Sequence, residues 1–326
     1  MDLHQITQVL IADDLDFAKL QQAVLAYRQL LTQQNQLISS TEESRADIEL
    51  DTGKAIGTTW AALCIDDLVR TKRFVKGLYE AVSQLLYKKE GPIVILYAGT
   101  GPFATLALPL TTLFRENQIQ IRALEINPIS CQYLRRLIVS LHVEGYFESI
   151  EQVDASTYSI PKAETIDILL SETMQRGLEK EPQVAIMCNL VPQLRHEILM
   201  IPESIQLSVG TILYPDEPAQ PVIYQPFFSV FQLDKECIRK QQRSDGALAF
   251  PTQQYKLSAP QLAHSKNLVL LTHISVFGRE KLTPGESGIT LPVKLPSLQH
   301  QGEKEVIIEL VYEGGKDPGM RFREVI

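Results

Sequence analysis

The sequence has little of the features that mark several specialised classes of protein. No window approaches the ~18–20 consecutive apolar residues of a membrane-spanning helix. The first residues carry acids early and lack the basic start of a signal peptide. Only four of the 326 residues are cysteines, and their wide spacing matches neither a CxxC metal site nor a disulfide framework. We therefore expect a cytoplasmic protein with reduced thiols, no bound metal and no membrane contact.

Basic side chains are also scarce in this chain. It carries 31 lysines and arginines against 39 aspartates and glutamates, which gives a formal charge of −8. Because binding to nucleic acid requires a basic surface, we expect no nucleic-acid partner. The surplus of acids leaves room for a cationic ligand instead. Hydrophobic residues make up 44% of the chain, as in ordinary globular proteins, and its length allows two domains or one domain with an extension.

The pattern of residues 1–50 predicts an N-terminal helical extension. Apolar positions recur there at the spacing of a helix face, at Leu20, Val24, Tyr27 and Leu31. We expect this face to pack on its own chain, and a homodimer contact is the open alternative.

Residues 51–203 alternate apolar strand-like runs with helical stretches, which predicts a Rossmann-like, doubly wound α/β sheet. The strand candidates are Ile93–Leu96, Ile121–Leu124, Ser149–Val153 and Ile166–Leu170, and the helix candidates between them are Ala104–Phe114 and Ser130–Leu141. Residues 204–326 change to β-branched or alternating runs without intervening helices, which predicts a β-rich barrel or sandwich domain. Its strand candidates are Ile205–Tyr214, Val222–Leu233, Leu268–Phe277, Ile289–Leu295 and Glu305–Tyr312.

The strongest local signal is a glycine loop that follows the first strand of the α/β zone. Gly99-Thr100-Gly101 allows a sharp turn and lets a ligand approach the backbone. Glu125 ends the next strand, where a carboxylate can accept the two hydroxyls of a ribose. Together they predict an adenosine-binding site. Because Gly99, Gly101 and Ala104 also satisfy GxGxxA, a nicotinamide dinucleotide is a further candidate ligand.

Acidic residues follow three consecutive strands of the predicted sheet. Glu125, Asp154 and Glu172 all fall at carboxyl ends of strands, the edge where such sheets bind ligands. A pyrophosphate would be repelled by this charge, whereas the cationic sulfonium of S-adenosylmethionine suits it. We therefore favour S-adenosylmethionine, with S-adenosylhomocysteine as the product and with Asp154 and Ala155 near the adenine edge.

Several segments of the chain together resemble the protein arginine methyltransferases. The resemblance extends over roughly residues 60–320. Asp67-Leu68-Val69-Arg70-Thr71 resembles the DxVRT segment of that family, and AGTGPFA, from Ala98, resembles its glycine loop. Ser171-Glu172-Thr173-Met174 resembles the start of the family's double-glutamate loop, with Glu181 where the second glutamate is expected. Thr272-His273 resembles its THW loop.

The resemblance implies a class I methyltransferase that methylates a nitrogen. It implies that Arg70 holds the carboxylate of the cofactor, and that Glu172 and Glu181 orient the acceptor. Two carboxylates suit a guanidinium, which stays protonated and accepts a bidentate pair of hydrogen bonds. The candidate catalytic residues are Glu172, Glu181 and His273. The candidate cofactor-binding residues are Arg70, Tyr97, Ala98, Gly99, Gly101, Glu125, Ile126, Asp154, Ala155 and Glu172.

Departures from the family pattern leave alternatives open. Ile95 and Tyr97 stand where the family has an acid and a glycine, and Ile274 stands where it has tryptophan. His273 is open to a purely structural role. The expected acceptor is a cationic small molecule, amino acid or peptide. The alternatives are a small-molecule N- or O-methyltransferase of secondary metabolism, and a catalytically inactive relative that binds the cofactor.

Overall fold

The structure of the chain is a computed structural model that describes residues 1–35, 41–215, 217, 220–240, 250–262, 268–298 and 305–325. Parts of the predicted β-rich zone, namely residues 216, 218–219, 241–249, 263–267, 299–304 and 326, lie outside the described residues.

The N-terminal zone is helical and ends in a short hairpin. Its elements are α1 (Leu3–Ile11), α2 (Phe17–Asn35), α3 (Glu42–Arg45), β1 (Ile48–Leu50) and β2 (Gly53–Ala55). The predicted apolar face of α2 is buried within the chain, as expected for packing on its own domain. Strands β1 and β2 pair antiparallel, so the predicted boundary at residue 50 falls at the turn of this hairpin. The division into three domains stays a prediction.

A parallel five-stranded sheet follows, as the alternating pattern predicted. Before it come α4 (Thr58–Leu63) and α5 (Leu68–Leu86). Its strands are β3 (Ile93–Ala98), β4 (Ile119–Glu125), β5 (Phe147–Gln152), β6 (Ile168–Ser171) and β7 (Leu199–Ile201), with α6 (Pro128–Ser140) and α7 (Gln183–Leu190) between them. The strand order is β5-β4-β3-β6-β7, so the direction of winding reverses between β3 and β6. Ligands of open α/β sheets bind at this reversal, beyond the carboxyl ends of the strands.

The C-terminal zone forms two antiparallel sheets. Its elements are β8 (Ser204–Leu213), β9 (Ile223–Asp234), α8 (Lys235–Lys240), β10 (Gln253–Ser258), α9 (Ala259–Leu262), β11 (Leu268–Phe277), β12 (Glu280–Leu282), β13 (Val293–Lys294), β14 (Glu305–Glu313) and β15 (Gly319–Val325). One sheet has the order β12-β11-β8-β9 with β13 added to β11, and the other has the order β10-β14-β15. Phe231 of the first sheet stacks on Tyr312 of the second, with ring centroids 4.7 Å apart. Over the described residues neither sheet closes on itself, so the arrangement matches a sandwich better than a closed barrel.

Three sequence-based expectations are wrong in detail. Residues 104–114 form turns and a short 3₁₀ helix, Leu108–Thr112, because Ala104 has a φ of +45° and Pro109 lacks an N–H. Of the expected strand Ile289–Leu295 only β13 is extended, since the capping bonds of Ser287 begin a 3₁₀ turn there. The short helices α8 and α9 interrupt the C-terminal strands.

Candidate functional site

A cavity of about 690 Å³ opens at the carboxyl ends of β3, β4 and β6. Its lining includes residues of the sheet and of the loops that follow its strands, of α4 and α5, of the N-terminal hairpin β1–β2, and of the segment 288–291 before β13. It therefore lies at the reversal point of the sheet, where the topology favours a ligand site.

The glycine loop is fixed to the end of the neighbouring strand. Gly99 and Gly101 have φ values of +76° and +61°, conformations that side chains disfavour. The Gly101 N–H donates to Glu125 Oε2 at 2.7 Å, and the Asn127 N–H donates to Oε1 at 2.8 Å. Burial raises the pKa of Glu125, and these backbone bonds lower it in part. The glutamate thus lies fixed in the cavity wall, beneath the loop.

Arg70 and Glu172 form an ion pair across the cavity. Arg70 lies in the first turn of α5, which Asp67 caps by accepting the Arg70 N–H at 3.2 Å. Asp67 also accepts the Ser287 hydroxyl at 2.6 Å and the Gly288 N–H at 2.8 Å. The start of α5 is therefore tied to the segment that closes the cavity from the C-terminal zone.

The two carboxylate oxygens of Glu172 differ in their contacts within the described part of the chain. Its side chain is only 3% exposed, and Oε1 is buried with no hydrogen-bond partner among the described residues. A buried carboxylate oxygen without a donor is costly unless a ligand supplies one. This oxygen is the clearest sign in the structure of a ligand that brings hydrogen-bond donors.

Glu181 lies in the same cavity, at the other end of the loop that Glu172 begins. Burial raises its pKa, while a hydrogen bond from Gln175 and the charges of Arg70 and Lys54 lower it in part. The loop that joins the two glutamates, residues 172–181, is called the glutamate loop below. It is held by contacts from other parts of the chain: the Gly177 N–H donates to Thr272 Oγ1 at 3.2 Å. The Lys54 N–H of the hairpin donates to Lys180 O at 2.8 Å. The hairpin and the C-terminal sheet together fix this loop.

Most of the residues predicted for the site line this one cavity. They are Arg70, Tyr97, Gly99, Gly101, Glu125, Ile126, Asp154, Ala155, Glu172 and Glu181. Ala98 does not line it, because this residue is fully buried within β3. Asp154 also has a local structural role, since its Oδ1 accepts the Ser156 N–H at 2.8 Å. The individual roles of these residues stay predictions.

His273 does not line the cavity. Its neighbour Thr272 points toward the glutamate loop, and successive side chains of a strand such as β11 face opposite sides. Burial and the charge of Lys281 lower the pKa of His273, and its Nδ1 is buried without a partner among the described residues. The role of His273, catalytic or structural, stays a prediction.

Sequence reasoning missed the hairpin and the residues that fix the glutamate loop. Asp47 and Lys54 line the cavity as an ion pair 2.5 Å apart. The turn signal Asp51-Thr52-Gly53 between two short runs could have predicted the hairpin. Gln183, which bonds to the residues on both sides of Glu172, could not have been found from the sequence, because its partners are ten or more positions away.

The described residues contain neither a cluster of metal ligands nor a helix suited to a membrane. No cluster of three or more histidine, cysteine, aspartate or glutamate side chains has the arrangement of a metal site in the described part of the chain. None of the described helices combines the length and apolar character needed to cross a membrane.

Comparison with known proteins shows the fold through solved structures. No protein-family model matches the chain, and no curated protein matches its sequence. Protein arginine methyltransferase 10 of Arabidopsis thaliana, solved in an open conformation, is similar with a TM-score of 0.50 and 12% identity, over 79% of this chain and 96% of the plant chain. The Trypanosoma brucei PRMT1 enzyme–prozyme heterotetramer with AdoHcy has a TM-score of 0.46 and 12% identity, over 81% and 96% of the two chains. The chain therefore has the fold that the motifs predicted, a Rossmann-like domain followed by a β-rich domain as in protein arginine methyltransferase 10.

Proposed function

We propose that this protein is an S-adenosylmethionine-dependent methyltransferase that methylates a guanidino or amino nitrogen. The observation that carries the proposal is the free, buried Oε1 of Glu172, which shares one cavity with the glycine loop and with Glu125. The fold shared with protein arginine methyltransferase 10 supports it. The acceptor is a cationic small molecule, amino acid or peptide.

The residues around the glycine loop suit S-adenosylmethionine. Arg70 would bind its carboxylate, and Glu125 would accept the ribose hydroxyls with the lone pairs that the backbone leaves free. Asp154 and Ala155 would contact the adenine edge. When bound, the cofactor supplies an electrophilic methyl group on a sulfonium. The acids of the cavity favour such a cation and disfavour the phosphates of a dinucleotide.

Glu172 and Glu181 would hold the acceptor. A guanidinium can donate two hydrogen bonds to a carboxylate, and the free Oε1 of Glu172 offers an acceptor for one of them. Fixing the reacting nitrogen in line with the methyl group supplies most of the rate enhancement in such a reaction. Because burial raises the pKa of Glu181, this carboxylate is a stronger base than an ordinary glutamate and would accept the proton that the methylated nitrogen releases.

Calorimetry and labelled-methyl transfer test the proposal. The chain should bind S-adenosylmethionine and S-adenosylhomocysteine but not NAD. Methyl-labelled cofactor should then label at least one acceptor in a panel of arginine- and lysine-containing peptides, free amino acids and metabolite extracts. Binding of NAD with no binding of S-adenosylmethionine would contradict the cofactor assignment.

An inactive cofactor-binding protein is the second candidate. The Arg70–Glu172 ion pair favours it, because the pair occupies one oxygen of the carboxylate that would otherwise meet an acceptor. In that case S-adenosylmethionine would bind, yet no member of the panel would acquire label. Oxygen methylation of a small molecule would instead appear as label on a neutral metabolite and on no peptide.

A further inference from the structure

Gln183 is fully buried at the start of α7, and both the oxygen and the nitrogen of its side-chain amide form hydrogen bonds. Its Oε1 accepts the Thr173 N–H at 2.8 Å and the Thr173 hydroxyl at 2.9 Å. Its Nε2 donates to the Ser171 carbonyl at 3.2 Å. The side-chain amide therefore bonds to the backbone immediately before and immediately after Glu172.

These bonds fix the backbone of Glu172 on both sides. Strand β6 ends at Ser171, and beyond it the amide of Gln183 pairs with the chain as a neighbouring strand would. The carbonyl of Ser171 and the N–H of Thr173 bracket the φ and ψ angles of Glu172. With both groups held, the direction in which its carboxylate leaves the backbone is set.

The same residue also ties Glu172 to Glu181. Gln183 follows Glu181 by two positions, so its side chain joins the end of the glutamate loop to its beginning. A Cβ at Gly99 would clash with the methyl group of Thr173, so the bracketed segment also lies against the glycine loop. The distances among Glu172, Glu181 and the glycine loop all depend on this segment.

We propose that Gln183 is a positioning residue that fixes Glu172 relative to Glu181, so that both carboxylates face one acceptor. The inference rests on the proposed function, because it assigns the two glutamates to the acceptor. Gln183 does not touch the acceptor and acts through the backbone of Glu172.

The test compares substitutions of two glutamines whose side-chain amides are hydrogen-bonded, the fully buried Gln183 and the half-buried Gln193. Gln183→Met keeps the length of the side chain and removes its hydrogen bonds. The matched control, Gln193→Met, also removes hydrogen bonds: Gln193 accepts the Ile160 N–H at 2.9 Å and donates to the Tyr158 and Asn189 carbonyls at 2.9 Å. Gln193 does not line the cavity. Calorimetry with methylguanidinium as the probe, on protein saturated with S-adenosylhomocysteine, measures the acceptor site alone.

We expect Gln183→Met to weaken methylguanidinium binding about tenfold and Gln193→Met to change it less than about threefold. Affinity for S-adenosylhomocysteine should stay near wild type in both variants. With the labelled acceptor, Gln183→Met should lower kcat while KM for S-adenosylmethionine is unchanged. Gln183→Glu, which keeps an acceptor for the Thr173 N–H, should restore part of the loss and serves if Gln183→Met does not fold.

Three results would overturn the inference, and they distinguish its failure from that of the proposed function. Equal methylguanidinium affinity in wild type and Gln183→Met, or equal weakening by Gln193→Met, would remove the positioning role and leave the proposed function intact. If the wild-type protein binds S-adenosylhomocysteine but no methylguanidinium and labels no acceptor, both the positioning role and the proposed function are contradicted.

Discussion

Glu172 pairs with Arg70 through one carboxylate oxygen, and its other oxygen has no hydrogen-bond partner among the residues that the structure describes. We expect its negative charge to face the acceptor cation. Glu172→Gln keeps the size of the side chain and removes this charge, so methyl transfer should fall at least about 10²-fold. Affinity for S-adenosylmethionine should change little, since Arg70 is freed rather than lost. Single-turnover transfer and calorimetry measure the two effects.

Glu179→Gln is the control for this substitution. Glu179 belongs to the same loop but does not line the cavity, so the variant should transfer methyl groups at the wild-type rate. Unchanged turnover in Glu172→Gln would remove this residue from the reaction.

Glu181 should make the stability of the protein depend on pH. Burial raises its pKa in the folded chain above the ordinary value of 4.5, so the folded state holds the proton to higher pH than the unfolded state. Its contribution to the free energy of unfolding therefore falls as pH rises from the unfolded pKa through the folded one. Glu181→Gln has no titrating group at this position. Its free energy of unfolding should therefore rise relative to that of the wild type as pH increases from the unfolded pKa through the folded pKa of Glu181.

Urea unfolding of both proteins at a series of pH values measures this difference. The gap should vanish at acidic pH, where the wild-type carboxyl is protonated in both states. A difference in the free energy of unfolding that shrinks as pH rises would show that the charges of Arg70 and Lys54 lower the pKa of Glu181 more than burial raises it.

At the scale of elements, the hairpin β1–β2 supports the glutamate loop through a close backbone approach. A Cβ on Gly53 would lie 2.5 Å from Lys180 O, and Gly53 has a φ of +129°. Gly53→Ala should push the hairpin away from Glu181 and lower methyl transfer more than cofactor binding. Turnover, cofactor affinity and thermal unfolding together measure this displacement.

Gly91→Ala separates the steric effect from the backbone effect. Gly91 also has a positive φ, +88°, but a Cβ there meets no atom within 4 Å. Both substitutions place alanine at a positive φ that it disfavours, so both should lower the stability of the protein. Equal turnover in the two variants would mean that contact with Lys180 has no part in arranging the loop.

The sequence predicts some elements better than others. Some depend on neighbouring residues, whereas others depend on contacts between residues that are far apart in the sequence. Strands β3 and β6 carry apolar runs, and β4 alternates apolar with polar residues. Gly99 and Glu172 directly follow their strands and Glu125 ends β4, so this part of the site could be predicted from local pattern. The turns after Ala104 could not be predicted, because a positive φ at an alanine is imposed by its surroundings. Gln183 and His273 depend on which residues lie opposite them across the fold, and no local pattern records that.

On the scale of the whole molecule, part of the excess of acidic residues lies in the cavity. Its lining includes Asp47, Glu125, Asp154, Glu172 and Glu181 against the three bases Lys54, Arg70 and Arg176. Two of these bases are paired with cavity acids, Lys54 with Asp47 and Arg70 with Glu172. The excess of carboxylates remains available to a sulfonium and a cationic acceptor, which is consistent with the net charge of −8.

The three zones of the chain share one hydrophobic core. A single cluster of buried residues includes Ile6 of α1, Phe74 of α5, Ile95 of β3, Ile205 of β8 and Ile308 of β14. Zones that share a core lose their packing together, so we expect one cooperative unfolding transition and not a separate one for each predicted domain. The single tryptophan, Trp60, lines the cavity and reports on the site through its fluorescence.

Circular dichroism at far-ultraviolet wavelengths follows the helices and strands of all three zones in the same urea titration. Its midpoint should coincide with that of Trp60 fluorescence, and S-adenosylhomocysteine should move both curves to higher urea by the same amount, because the ligand binds the folded state alone. A second transition that appears only in circular dichroism and does not respond to the ligand would show that the β-rich zone unfolds by itself. In that case the contacts of Asp67 with Ser287 and Gly288 would join two independent domains across the cavity.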